Sequence, residues 1–142
     1  MATNPVRGHH RFEDHTGEVR LELGAPSLEE LFVEAGRALA ELMIGDLVPT
    51  AAPGPEQRIH LRAADLAALL VEWLNELIFL SETSKQVFTR FRIEHVGVGE
   101  LEAVVAGVAT EALKTQVKAA TLHGLSLENR NGTWRASVVL DV

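Results

Sequence analysis

The segment Gly132 to Val142 restricts the fold of this chain more than any other, because it reads as a strand with one face to bury. Side chains alternate along a strand, so Trp134, Ala136, Val138, Leu140 and Val142 share one side, while Arg135, Ser137, Val139 and Asp141 share the other. The Asn131-Gly132 pair just before it is a strong hairpin signal, which predicts an antiparallel partner immediately upstream. Asp141 is the penultimate residue, so its carboxylate and the Val142 α-carboxylate stand within a few ångströms. At ~4 Å and an effective dielectric near ~20, two such charges repel by roughly 4 kcal/mol. Held firmly, this strand end invites a cation. Left to fray, both charges dissolve in water.

The rest of the chain supplies the partners. Residues 1–8 read as a loose lead-in, and His9-His10 as a surface pair. Arg11 to Glu13 begins a strand that Asp14-His15-Thr16-Gly17 interrupts with turn chemistry. Val19, Leu21 and Leu23 then alternate with Glu18, Arg20 and Glu22, giving a strand with one buried face. Ser27 and Glu30 have capping-box spacing, and Leu28, Leu31, Phe32, Ala35, Ala38, Leu39, Leu42 and Met43 form one helical apolar stripe ending near Ile44-Gly45. Asp46 to Glu56 holds Pro49, Pro53, Gly54 and Pro55 and reads as loop. A short strand over Gln57 to Leu61 is followed by Asp65, the N-cap of a second helix carrying Leu66, Leu69, Leu70, Trp73, Leu74, Leu77 and Ile78. Val71 and Phe79 lie off that stripe, so this helix is expected to be covered on more than one side. Glu72, Asn75 and Glu76 make its polar face, read as solvated. Beyond Ser84 the period shortens, with strands over Val87 to His95, Glu100 to Thr110 and Val117 to Glu128, then the final one. The reading is one α+β domain over residues 1–142, with two helices on one face of a largely antiparallel sheet.

The Lys118 to His123 segment breaks strict alternation. A bulge near His123-Gly124 would set Leu122 beside Leu125 and Leu127 and turn the histidine outward. Spacing alone favours the other arrangement, with His123 as a hydrogen-bonded core histidine.

Composition narrows the function. Thirteen Lys and Arg against twenty Asp and Glu give a net charge of −7. Phosphate backbones are bound mainly by cations, so direct nucleic-acid binding is not expected. The absence of cysteine excludes thiolate chemistry and disulfides. No apolar leader or membrane-length run is present, and a cytoplasmic protein is expected. No nucleophile elbow, phosphate loop, dinucleotide fingerprint or HExxH motif occurs. What remains is carboxylates, a few histidines and the chain end. Asp14, Asp141 and the terminal residue offer hard oxygens for Ca²⁺, Mg²⁺ or Mn²⁺, and adding His15 or His123 would tilt the set toward Zn²⁺ or Mn²⁺.

Five segments in register resemble the archease family: Phe12-Glu13-Asp14-His15-Thr16, Leu28-Glu29-Glu30-Leu31-Phe32, Leu69 to Leu77, Lys118-Ala119-Ala120-Thr121-Leu122-His123 and Val138-Val139-Leu140-Asp141-Val142. The resemblance implies an accessory protein of the RtcB-type tRNA-splicing ligase, promoting guanylylation of the ligase's active-site histidine by GTP. It implies no enzyme activity of its own. It also implies a divalent-metal site, often calcium, with Asp14, Asp141 and Val142 as ligands. Where the family often reads Asp-His-Thr-Ala-Asp, Gly17 and Glu18 follow Thr16 here; where it usually reads Thr-Tyr-His, Leu122 replaces the tyrosine. The competing readings are a small metal-dependent hydrolase with His15 or His123 as base, and a chaperone-like protein-binding module.

Overall fold

The structure is a computed structural model that describes residues 7–45 and 52–142. Most of the lead-in over residues 1–8 and the first half of the Asp46 to Glu56 loop fall outside the described residues. The elements run β1 (His9–His15), β2 (Glu18–Ala25), α1 (Leu28–Ile44), β3 (Gln57–Arg62), α2 (Leu66–Ser84), β4 (Gln86–Gly97), β5 (Glu100–Ala109), β6 (Ala119–Arg130) and β7 (Thr133–Asp141). Every strand pairing is antiparallel. The α+β class is as expected, but the strands divide between two sheets, ordered β1-β2-β7-β6 and β3-β5-β4. Alternation along a strand gives its buried face and not its neighbour, so the division could not be read from pattern. Both helices touch both sheets, α1 against β2 and β4, and α2 against β6, β4 and β3. One core results, built from Leu21, Phe32, Leu69, Trp73, Leu101, Val138 and Leu140 among others.

Helix α1 begins where Ser27 accepts a 3.1 Å hydrogen bond from the Glu30 amide. Its stripe is buried at Leu31, Phe32, Ala35, Ala38, Leu39 and Met43. Gly36 serves packing: a Cβ there would lie 2.7 Å from the Phe91 ring. That ring meets Trp73 edge-on at 6.1 Å, and the Trp73 indole donates to the Phe32 carbonyl at 2.9 Å. A buried indole N–H needs such a partner, and this one ties the helices together.

Helix α2 is capped by Asp65, which accepts from the Ala68 amide at 2.8 Å. Val71 is buried, as the off-stripe reading expected, but Phe79 is 57% exposed. Nor is the polar face simply solvated. Glu72 is exposed, whereas the Asn75 amide donates to the Ala120 carbonyl at 3.1 Å and accepts from the Ala120 amide at 2.8 Å. Strand β6 is an edge, so Asn75 does for it what a further strand would do.

The amino-terminal histidines part company. His9 is exposed; His10 is not a surface residue, because its Nδ1 lies 2.5 Å from Glu34 and its Nε2 pairs with Glu41, both on α1. Glu34 is only 5% exposed. Its hydrogen bond raises the His10 pKa above the ordinary 6.5, against the opposing effect of burial. In return the His10 bond draws Glu34 below its ordinary 4.5. The local pattern gave no sign of this pairing, because the carboxylates sit 24 and 31 positions away.

The β6 segment also departs from the favoured reading. Its register with β7 slips between Thr121 and Ser126, and Gly124 takes a positive φ of 66°. This irregularity turns His123 out to solvent rather than into the core. Leu122 is 67% exposed and does not join Leu125 and Leu127.

Candidate cation-binding strand end

Three chain segments meet where β1, β2 and β7 finish. The tight Thr16-Gly17 turn joins β1 to β2, with Gly17 at φ 72°. Residue Val19 pairs with both Asp14 and Leu140, and Glu18 with both His15 and Asp141. The last residue is held rather than frayed: the Val142 amide donates to the Gly17 carbonyl at 3.1 Å. The Lys118 amide donates to the Asp141 carbonyl at 2.8 Å, so the residues leading into both flanking strands grip the strand end. The Val142 side chain packs against the core.

Directly opposed residues share a sheet face. His15, Glu18 and Asp141 therefore form one row on the face away from the helices. Asp14 belongs to the neighbouring row with buried Val19 and Leu140, yet it is itself exposed at the rim. Glu13, Asp14, His15, Glu18, Arg20 and Val139 line a cleft of about 150 Å³. The structure thus gathers Asp14, His15, Glu18, Asp141 and Val142 at one end of the sheet. His123 is exposed in the β6 irregularity and is not part of that cleft.

The donors suit a hard cation, since all but His15 are carboxylate oxygens. Among the described residues, the three His, Asp or Glu donors that converge within 4.8 Å belong to another place: His60, Glu100 and Glu102 on the second sheet. Two further residues were missed by the pattern. Arg20, which lines the cleft, donates to Ser137 Oγ at 3.0 Å, and that hydroxyl donates to Glu22 at 3.1 Å. Thr121 Oγ1, paired in register with cleft residue Val139, is buried without a hydrogen-bond partner.

These features define a small α+β protein whose four-stranded sheet ends in a backbone-locked carboxylate rim. The chain belongs to the archease protein family, whose sequence profile matches residues 10–142. A protein archease of Methanopyrus kandleri is 32% identical over 91% of this chain and 96% of its own length. The solution structure of Methanobacterium thermoautotrophicum protein 1598 is 27% identical with a TM-score of 0.73, covering 94% of this chain and 98% of that one. A crystal structure of an archease from Thermotoga maritima, called a possible chaperone, shares the fold at 24% identity and a TM-score of 0.63, covering 94% of this chain and all of that one.

Proposed function

We propose that this protein is an accessory activator of an RtcB-type tRNA-splicing ligase and not itself an enzyme. In this reading it promotes guanylylation of the ligase histidine by GTP from within the cytoplasm. The observation that carries the proposal is the locked strand end, where Val142 is tied to Gly17 beside Asp14, Glu18 and Asp141. A strand end pinned by backbone bonds and rimmed with carboxylates is an arrangement suited to insertion into a partner. The name given to the Thermotoga maritima relative, a possible chaperone, points the same way, toward a protein partner. The net charge of −7 argues for reaching RNA through that partner rather than by direct contact.

Asp14, Asp141 and Val142 are the proposed ligands of a divalent cation, Ca²⁺ in the first place and Mg²⁺, Mn²⁺ or Zn²⁺ in the second. Once bound, the ion would neutralise the clustered carboxylates and leave positions open to a partner's oxygens. Glu18 flanks Asp141 in register and deepens the negative potential, while His15 stands at the cleft mouth. The test is a ligase guanylylation assay with and without this protein, before and after chelation. Asp14→Ala and Asp141→Ala are expected to keep the circular dichroism spectrum and lose the stimulation. Wild-type stimulation by both variants would overturn the proposal.

A further inference from the structure

The second sheet carries its own candidate for a ligand. His60 of β3 pairs with Glu102 of β5, and Glu102 pairs on its other side with His95 of β4. The three side chains therefore stand in one row across the sheet. They face away from the core, since the alternate positions Ile59, Leu101, Ala103 and Val96 are buried. Glu100, two residues before Glu102, shares that face, and its Oε1 lies 2.8 Å from His60 Nε2. Donor atoms of His60, Glu100 and Glu102 all fall within 4.8 Å of one another.

The second imidazole is brought there by a break in the ladder. The β4–β5 register shifts between Ile93 and His95. Without that shift Glu94 would face Glu102, and His95 would turn inward opposite Leu101. Instead Glu94 is diverted to Arg58 and Arg92, and His95 takes the place opposite Glu102. Bulges commonly re-aim a side chain next to a functional site. The His95 ring lies over Gly97, its Nε2 at ordinary van der Waals distance, 3.5 Å, from where a Cβ would stand, and Gly97 is the residue opposite Glu100.

From the convergence of His60, Glu100 and Glu102, with His95 set beside Glu102 by register, we propose that these four residues form a surface site for a borderline transition-metal dication, Zn²⁺ above all. Two imidazole nitrogens with two carboxylates suit Zn²⁺ better than Ca²⁺ or Mg²⁺, which take oxygen throughout. Tetrahedral Zn²⁺ with bonds near ~2.0–2.1 Å needs donors about 3.3 Å apart, a small rotamer adjustment for side chains as exposed as His60 and Glu100. Arg62, opposite Glu100 in register, offsets part of the negative charge. It shares no residue with the strand end.

The full-length protein should be titrated with ZnCl₂ in excess Mg²⁺, following heat and the histidine ring resonances by NMR. One saturable site is expected that shifts the His60 and His95 rings and is weakened about 10- to 100-fold or more by His60→Ala or His95→Ala. Asp141→Asn should leave it unchanged. Both histidine variants change exposed side chains, and circular dichroism should show them folded. Wild-type Zn²⁺ affinity in both variants, or shifts confined to His9, His10, His15 or His123, would overturn the assignment.

Discussion

Asn75 offers a sharp test of how the fold holds its functional end, because one side chain supplies two bonds to an edge strand. Its amide completes both the N–H and the C=O of Ala120, at 2.8 and 3.1 Å, and Ala120 is only 5% exposed. In Asn75→Ala, water admitted to the gap would limit the cost to ~0.5–1.5 kcal/mol per bond, whereas a dry gap costs ~1–3 kcal/mol for each orphaned group. Asn75 itself is half-buried, which places the expected loss between those limits, at about 2–3 kcal/mol. At about 4 °C per kcal/mol for a chain of this size, the melting temperature should fall by roughly 8–12 °C. Glu72→Ala, on the same helix but exposed, is the control, and should stay within ~0.5 kcal/mol of wild type. Urea denaturation measures both, and hydrogen exchange at the Ala120 amide reports whether the loss is local. Should Asn75→Ala and Glu72→Ala prove equally mild, with Ala120 still protected, the surrogate-strand account of this residue fails.

Further expectations follow from other contacts. The His10–Glu34 pair should stabilise the fold most between the two ordinary pKa values of 4.5 and 6.5. His10 is raised when folded, so its contribution is complete below 6.5 and fades as pH rises through the higher folded value. Glu34 is lowered, so its contribution is present above 4.5 and fades as pH falls through the lower one. His10→Gln should therefore cost most near pH 5.5 in urea melts; an equal penalty at pH 8.5 would refute the pairing. Gly36→Ala should destabilise by about 1–3 kcal/mol, because overpacking against the wedged Phe91 ring outweighs the ~1 kcal/mol gain in helix propensity. A calorimetric gain in stability would show that the ring moves aside freely. The strand-end and Zn²⁺ tests complete the set, with guanylylation and ring shifts as their readouts.

The parts of the fold that were legible in advance are those with a local cause. Ser27 and Asp65 cap their helices through amides three residues away, and the apolar stripes of both helices need only the 3.6-residue period. The final strand was legible in the same way, from alternation, but whether its end is held or frayed was not, because the Gly17 carbonyl that ties Val142 lies far back in the chain. Departures arose where a distant partner decided the outcome. His10 looked like surface until α1 placed Glu34 and Glu41 against it. Asn75 looked solvated until β6 came to lie beside α2. His123 looked like core because parity was counted without the bulge.

By itself the sequence determined the elements, most of their buried faces, the acidic balance and the family signature, because each depends on residues a few positions apart. Only the tertiary structure decided that the strands form two sheets and that Asp141 lies opposite Glu18. Only there, too, do His60 and His95, 35 positions apart in the chain, flank one glutamate. Strand pairing is a choice among distant partners, settled by how all the faces can be buried at once, and no local pattern records that choice.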